Sequence, residues 1–390
     1  MEKNILLLGA TDRFNYGDLL FPYILEHYLT EFDREKQLRI ENYAVVKSDL
    51  QKIGAKKTKK YADLLKDTKQ KKNASIIVAG GEVLSVHWLV IYSFLYRGFK
   101  KIIEKNYYDK RFFRRVLKHF FFPAKSSDYP FVLLKKDFPQ IKNIIYNSVG
   151  GVVPEYLREE FMQGVSYLSL RTKADIAGFT KHKNGIKLYP DSAVLMSDIW
   201  TKVALKQKIR FASNSPFLCQ EYLFFQVNKN LGFDNIKLIC SELTALYKKT
   251  KLPVVLCPIG LALGHEDQAV LALIDRQLSI PHFYCESPTI WDIMHLIAEA
   301  RLYIGTSLHG IITAMSYAVP YTAISKRNDK IQKYLSTWAI DGLSENIDID
   351  GISEKCAAIL NGDLSPELTG SACKMKELSR QSMKEMYNLL

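Results

Sequence analysis

The segment Tyr303–Ser325 contains the residues best suited to chemistry, because it places one histidine among small polar residues between two apolar stretches. An apolar strand followed by Thr306 and Ser307, with a helix starting close to Gly310, would leave free backbone N–H groups that form an anion site. His309 would face the same pocket, where an imidazole can donate a proton to a bound substrate. The spacing leaves open the alternative that this histidine only caps the helix or packs locally.

A second candidate, Arg171, stands at the end of another predicted strand, in the segment LSLRTK. A guanidinium can hold a carboxylate or a phosphate through two parallel hydrogen bonds. A salt bridge with a nearby acidic residue is the alternative.

Two turns in the first hundred residues offer groups for a polar ligand. The turn NYGD, residues 15–18, supplies an amide, a flexible glycine and a carboxylate that suit sugar hydroxyls or a phosphate. The turn AGGE, residues 79–82, lets a ligand approach the backbone closely. Ordinary turn and helix-cap chemistry explains both segments equally well.

The segment GLALGHED adds His265 and Asp267 as weaker site candidates. Three adjacent polar residues cannot all face one way, so we expect no metal at this point. The chain contains no P-loop, no G-x-G-x-x-G fingerprint, no H-E-x-x-H and no G-x-S-x-G. These absences argue against the common nucleotide triphosphatases, dehydrogenases and hydrolases.

The elements that position these residues alternate between strand and helix along most of the chain. Asp18 is expected to cap a first helix in which Pro22 lies within the first turn. Such alternation predicts an α/β fold with parallel sheets, whose strand ends carry the ligand site. The segments predicted as strands are KNILLLGA, ASIIVAGG, IKNIIYNSVGG, GVSYLSLR, KLPVVLCP, ARLYIG and PYTAIS.

The length of 390 residues predicts more than one domain. We expect an N-terminal domain over residues 1–195, with a basic and aromatic insertion at 83–125. A C-terminal domain follows over 196–330, and residues 331–390 form a helical tail.

Charge and cysteine usage indicate the surroundings of the protein. The net charge is +13, and residues 97–125 carry ten Lys or Arg against two acids. Aromatic residues within the insertion make it typical of a helix that lies on an anionic membrane surface, although packing into the domain is the alternative. Six cysteines without a C-x-x-C pair predict reduced thiols, and no signal peptide or membrane span is recognised, so we expect a cytoplasmic protein.

The segments NYGDLL, AGGEVL, SLRTK, LCPIG and YIGTSLHGIITAMSYAVPYTAIS, in this order, resemble the polysaccharide pyruvyltransferase family. The resemblance implies two Rossmann-like domains facing a cleft in a glycosyltransferase B-like arrangement. It implies transfer of a pyruvyl (carboxyethylidene) group from phosphoenolpyruvate to sugar hydroxyls to form a ketal. The expected setting is the biosynthesis of cell-surface polysaccharide, such as capsule or exopolysaccharide, at the inner face of the membrane.

The resemblance also implies roles for the candidate residues, with no cofactor and no nucleic-acid partner. The N-terminal domain is expected to face a sugar or lipid-linked oligosaccharide acceptor, and the C-terminal domain to face the donor. We expect His309 and Arg171 to be catalytic. The expected donor-binding residues are Thr306, Ser307, Gly310, Lys173, Lys326 and Arg327. The expected acceptor-binding residues are Asn15, Gly17, Asp18, Gly80, Gly81 and Glu82.

One position departs from the family pattern, which often places arginine where this chain has Ser307. A serine offers a neutral hydroxyl in place of a charged donor, and charge-assisted hydrogen bonds are about twice as strong as neutral ones. Either the donor is held by other cations, such as Lys173, Lys326 or Arg327, or the donor or the activity differs from that of the family. A glycosyltransferase that uses a nucleotide sugar and a non-catalytic homologue remain the alternatives.

Overall fold

The computed structural model describes residues 2–105, 111–124, 126–179, 185–210, 219–325 and 329–390. At residues 111–115 and 329, it describes the backbone alone. The expected donor residues Lys326 and Arg327 therefore lie outside the described residues.

The first half of the chain forms a seven-stranded parallel sheet with the strand order β3-β2-β1-β4-β5-β6-β7. Its central strands are buried on both faces along most of their length, which explains their largely apolar sequences. The strands are β1 (Lys3–Leu8), β2 (Leu38–Ala44), β3 (Lys59–Lys60), β4 (Ala74–Val78), β5 (Ile144–Val149), β6 (Tyr167–Leu170) and β7 (Ile186–Leu188).

The second half forms a five-stranded parallel sheet with the order β10-β9-β8-β11-β12. Its strands are β8 (Leu223–Gln226), β9 (Val254–Leu256), β10 (His282–Tyr284), β11 (Leu302–Gly305) and β12 (Tyr321–Ala323). The predicted α/β fold with two parallel sheets is confirmed.

Helices alternate with these strands and cover the sheets. They are α1 (Phe21–Phe32), α2 (Tyr61–Gln70), α3 (Trp88–Leu95), α4 (Arg97–Glu104), α5 (Arg111–Phe121), α6 (Glu155–Gly164), α7 (Lys173–Ala177), α8 (Met196–Ile199), α9 (Lys202–Lys206), α10 (Lys229–Gly232), α11 (Ile236–Thr250), α12 (Asp267–Gln277), α13 (Ile290–Ala298), α14 (Leu308–Ser316), α15 (Asp329–Trp338), α16 (Ile352–Asn361) and α17 (Ser365–Leu389). The described part of the tail contains α15, α16 and α17, with turns between α15 and α16.

A shared apolar core joins the two sheets. One cluster of buried residues runs from α1 and one face of the first sheet into the second sheet and its helices. The long helix α17 returns to the first domain, where the Lys142 ammonium donates to the Leu390 carbonyl at 3.0 Å. The tail thus connects the two domains.

The structure corrects the predicted start of the first helix. Helix α1 begins at Phe21, with Leu20 as a cap residue that makes no side-chain hydrogen bond, so Asp18 does not cap it. The Asp18 carboxylate accepts a hydrogen bond from the Asn15 amide at 2.7 Å instead. Pro22 lies in the first turn, where its missing N–H costs no hydrogen bond.

The segment 83–125 connects β4 to β5 and contains α3, α4 and α5. Trp88 is fully buried, so the start of this insertion packs into the first domain. Among the described residues, no helix is long and apolar enough to cross a membrane.

Candidate functional site

A cavity of about 460 Å³ lies between the two domains, at the carboxyl ends of their strands. Open α/β sheets bind ligands at this edge. Its polar lining comes from both domains and comprises Arg13, Asn15, Asp18, Glu82, Arg171, Gln226, Asn228, Lys229, Asn230, His265, Asp267, Thr306, Ser307, His309 and Lys330.

The junction of β11 and α14 sets the position of His309. The Ser307 hydroxyl caps α14 by accepting a hydrogen bond from the Gly310 N–H at 3.2 Å. Gly310 lies so close to Tyr303 that a Cβ there would come within 2.2 Å of the phenol oxygen. The absence of a side chain at position 310 therefore lets the helix start against its own strand, which places His309 at the cavity.

The imidazole of His309 packs on the backbone of the opposite domain. A Cβ built on Gly17 would lie 1.9 Å from the Cγ atom of His309, so only glycine fits there without a shift. Phe21 contacts the same ring edge-on, with ring centroids 5.7 Å apart. The NYGD turn therefore forms one side of the histidine pocket.

A carboxylate stands behind the imidazole. His309 Nε2 is buried, and the structure gives it no hydrogen-bond partner among the described residues; Asp191 Oδ2 lies 3.7 Å away. The same carboxylate oxygen accepts a hydrogen bond from the Arg171 guanidinium at 2.9 Å. Arg171 also donates to Glu82 at 2.6 Å. His309, Asp191, Arg171 and Glu82 thus form one row of charged and polar groups.

This row keeps its carboxylate and guanidinium ionised in spite of burial. Burial alone would raise the pKa of the Asp191 carboxyl, but His309 and Arg171 outweigh it and hold that pKa below its ordinary value. Burial alone would lower the pKa of Arg171, but the charges of Glu82 and Asp191 raise it. The salt bridge that we considered for Arg171 is therefore present, and the side chain still reaches the cavity wall.

Backbone hydrogen bonds join the two domains beside the cavity. The N–H groups of Leu261 and Ala262 donate to the Phe14 carbonyl at 3.2 and 3.1 Å. The Tyr16 hydroxyl lies 3.0 Å from the Thr313 hydroxyl on α14. The loop after β1 therefore holds the C-terminal domain in place at the site itself.

Two of the predicted site residues, Asp267 and Thr306, belong to a hydrogen-bond network beside the cavity. Asp267 Oδ2 accepts hydrogen bonds from the side chain of Gln226 and from the N–H groups of Ile259 and Gly260, at 2.8 to 3.1 Å. Gln226 in turn accepts from the Thr306 N–H at 3.0 Å. Burial raises the pKa of Asp267 to about 6, against these hydrogen bonds. Both residues line the cavity, and their protein contacts support its shape.

Three cations at the cavity were missed by the sequence analysis. Arg13 is buried and pairs with Asp12 at 2.9 Å, and its Nε atom has no hydrogen-bond partner among the described residues. Lys229 forms an ion pair with Glu266. Lys330 is exposed along part of its length, yet burial of its ammonium group and the charge of Arg171 lower its pKa, against Glu82 and Asp18.

Arg13 lies in the loop that follows β1. Its position at a strand end could therefore have identified it as a candidate site residue from the sequence. Lys330 had no such signal, since it belongs to a helix outside the motifs.

His265 contacts the insertion across the cavity. Its ring stacks on Phe94, with centroids 5.2 Å apart, and the Arg13 guanidinium lies 5.5 Å from the same phenyl ring. Burial, aided by the charges of Lys330 and Arg13, lowers the pKa of His265 to about 4. The histidine is therefore neutral at neutral pH.

The structure brings most predicted site residues together. Four predicted glycines lie directly behind the lining or shape its turns, and they are Gly17, Gly80, Gly81 and Gly310. Lys173 is exposed at the start of α7 and does not line the cavity. Among the described residues, no group of three or more His, Cys, Asp or Glu side chains could hold a metal ion.

Comparison with known proteins identifies a family. A family model described as polysaccharide pyruvyl transferase matches residues 15–326. No protein with a curated function matches the chain.

Solved structures with a similar fold include the S. aureus MnaA–UDP co-structure, with a TM-score of 0.56 at 10% identity, covering 100% of this chain and 98% of the other. The UDP-GlcNAc 2-epimerase of Methanocaldococcus jannaschii, in complex with UDP-GlcNAc and UDP, gives a TM-score of 0.55 at 12% identity, covering 98% and 100%. At such identities the likeness shows the fold alone, which is the glycosyltransferase B arrangement of two Rossmann-like domains.

We predict that Gly17→Ala destabilises the protein by about 1–3 kcal/mol, because the new methyl group overlaps the His309 ring. Urea unfolding measures this change. Gly370→Ala is the matched control, since a Cβ at that helical position meets nothing within 4 Å. Adding His309→Ala to Gly17→Ala should restore most of the loss. A Gly17→Ala protein with wild-type stability would contradict the contact.

We predict that His265 makes stability depend on pH. The folded protein binds a proton at His265 only near pH 4, whereas an unfolded chain binds it near pH 6.5, so stability is lost as pH falls between these values. Relative to His265→Gln, the wild type should lose up to about 3 kcal/mol between pH 7 and pH 4.

Unfolding by urea at several pH values measures the difference in unfolding free energy between the wild type and His265→Gln. Asp267 titrates in both proteins, so its contribution to this difference cancels. His27→Gln, on the exposed side of α1, controls for the substitution. Parallel stability curves for the wild type and His265→Gln would contradict the prediction.

Proposed function

The chain belongs to the polysaccharide pyruvyl transferase family, and from this premise we propose that it transfers a carboxyethylidene group from phosphoenolpyruvate to two hydroxyls of a sugar. The product would be a cyclic ketal on a cell-surface polysaccharide or its precursor. The observation that carries the proposal is that His309 lies on the wall of a cavity lined by cations, with the buried carboxylate of Asp191 3.7 Å behind its ring.

The reaction needs one proton donor and one proton acceptor in turn. A proton goes to the methylene carbon of phosphoenolpyruvate while a sugar oxygen bonds to the adjacent carbon, and that hydroxyl's proton returns to the base. A second sugar oxygen then bonds to the same carbon as the C–O bond to phosphate breaks. The second hydroxyl's proton leaves with inorganic phosphate, so atoms and charges balance.

We assign the acid and base role to His309. Its Nε2 atom faces Asp191, which leaves Nδ1 as the ring nitrogen for the substrate. A carboxylate behind an imidazole orients the ring and stabilises the imidazolium form. Asp191 is therefore a positioning residue, and Arg171 holds it in place while keeping its charge at the cavity wall.

In this proposal, the donor binds to three cations at the cavity, which we call the cationic seat and define as Arg13, Lys229 and Lys330. Phosphoenolpyruvate carries a carboxylate and a phosphate, and the lower dielectric constant inside a protein cavity strengthens the attraction of these groups to such cations. The buried Nε of Arg13, without a partner among the described residues, is a donor that an anion would satisfy. These side chains replace the arginine that the family often has at position 307.

The acceptor would lie against the N-terminal domain. Asn15, Asp18 and Glu82 line that side of the cavity and offer amide and carboxylate groups that bind sugar hydroxyls. The setting that we propose is the cytoplasmic face of a membrane, where precursors of surface polysaccharides are built.

The direct test is to incubate the protein with phosphoenolpyruvate and candidate glycans, and separately with nucleotide sugars. We expect glycan-dependent release of inorganic phosphate from phosphoenolpyruvate. Release of a nucleoside diphosphate instead would favour a glycosyltransferase, and release of neither would favour a non-catalytic homologue.

We predict that His309→Gln lowers turnover by about 10²- to 10⁴-fold with little change in donor affinity, since it removes the proton-transfer group. Asp191→Asn should lower turnover less and leave the donor KM nearly unchanged, because the ring keeps its nitrogen for the substrate but loses the carboxylate that orients it.

His282→Gln, which removes a histidine that contacts Asp275 away from the cavity, is the control. Near-normal turnover of His309→Gln would refute its assignment, and wild-type turnover or a raised donor KM in Asp191→Asn would refute the positioning role.

We predict that Arg13→Gln raises the donor KM about tenfold or more, because a charge-assisted hydrogen bond contributes about 1.5–3 kcal/mol. Lys173→Gln is a matched control, since that side chain is exposed outside the cavity. Steady-state kinetics with varied phosphoenolpyruvate measures both. The reverse pattern, with Lys173→Gln impaired and Arg13→Gln normal, would overturn the assigned seat.

A further inference from the structure

Helices α4 and α5, with the residue that precedes α4, carry exposed or partly buried aromatic side chains, which we call the aromatic patch and define as Tyr96, Phe99, Phe120 and Phe121. Tyr96, Phe120 and Phe121 are 47%, 73% and 48% exposed. Phe99 connects two of them, with ring centroids 6.2 Å from Tyr96 and 5.2 Å from Phe121. Exposed aromatic side chains concentrated on neighbouring helices indicate an interaction site, whereas single exposed apolar residues scattered over a surface do not.

Basic side chains flank the aromatic patch. Arg97, Lys101 and Lys105 are exposed on or next to α4, and the exposed acid on that helix is Glu104. Rings beside cations are the composition of a surface that enters the headgroup region of an anionic bilayer.

The other basic run, residues 47–72, differs, because several of its lysines pair with acids of the same domain. The insertion has such pairs as well, at Lys100 and Lys118, but no ion pair is found among the described residues for Arg97, Lys101 and Lys105, which are therefore the attractive cations.

We propose that the aromatic patch and its flanking cations dock the protein on an anionic lipid bilayer. The rings would enter the interface while Arg97, Lys101 and Lys105 contact lipid phosphates. A second copy of the chain is a poorer occupant, because a two-fold contact would bring the same cations together. Each basic residue near an anionic leaflet adds to binding, and salt screens the effect over about a Debye length.

The same insertion forms a wall of the cavity. Val90, Ile91 and Phe94 of α3 line it, and Phe94 stacks on His265 of the other domain. Lys100 of α4 lies 3.4 Å from Glu266, which precedes α12. A bilayer that holds α4 and α5 therefore lies beside the cavity, so a sugar carried on a membrane lipid could reach it. The inference that the acceptor is a sugar carried on a membrane lipid rests on the proposed function, whereas the docking itself does not.

The test is sedimentation of the full chain with vesicles of phosphatidylcholine alone and with added phosphatidylglycerol, at low and high salt. We expect binding to the anionic vesicles only, weakened at least tenfold by high salt. Phe120→Ser/Phe121→Ser and Arg97→Glu/Lys101→Glu should each abolish it. Their controls are Phe233→Ser and Lys237→Glu/Lys248→Glu, at exposed positions of the C-terminal domain.

Activity on a water-soluble acceptor separates the docking from the reaction. Phe120→Ser/Phe121→Ser should keep that activity and the thermal unfolding midpoint of the wild type while losing vesicle binding. Absence of binding at low salt, equal binding to neutral vesicles, or unchanged binding by both patch variants would overturn the proposal. So would a dimer, or a complex with single-stranded nucleic acid, that depends on the aromatic patch.

Discussion

The packing of the His309 imidazole on the backbone of Gly17 is the constraint on which the site depends. It joins the C-terminal domain to the turn after the first strand, and no side chain larger than hydrogen fits between them without a shift. Hydrogen bonds from Leu261 and Ala262 to Phe14 fix the same loop from the other domain. Because the contact lies in the cavity wall, the relative position of the domains and the orientation of the histidine are set together.

The contact with Gly17 also sets the position of His309 relative to the charged groups behind it. With His309 held from one side, Asp191 stands behind the ring, and Arg171 keeps the carboxylate ionised in a buried place where it would otherwise tend to be neutral. In our proposal, His309 exchanges protons beside a donor site whose cations come from the N-terminal loop and from helices α10 and α15. The family membership supplies the reaction class, and this geometry supplies the roles in our proposal.

The sequence predicted the architecture well, because buried parallel strands appear as short apolar runs that end in glycine or polar turns. It also identified His309, Arg171 and the NYGD and AGGE turns, since these lie at strand ends where such sheets bind ligands. Asp191 and Lys330 escaped prediction. The first follows a short strand without a motif and meets His309 only through the fold, and the second comes from a helix of the tail. Long-range contacts of this kind leave no local pattern.

The central claim is that this cavity moves a three-carbon unit from phosphoenolpyruvate to a sugar. The most direct measurement uses phosphoenolpyruvate isotopically labelled at its second carbon, with a candidate glycan, and locates the label by NMR and mass spectrometry. The account predicts that the label appears as a ketal carbon bonded to two sugar oxygens, with one phosphate released per transfer, and that His309→Gln abolishes it. Label that stays in free pyruvate or unreacted donor, while a nucleotide sugar transfers its glycosyl group to the same glycan, would contradict the account.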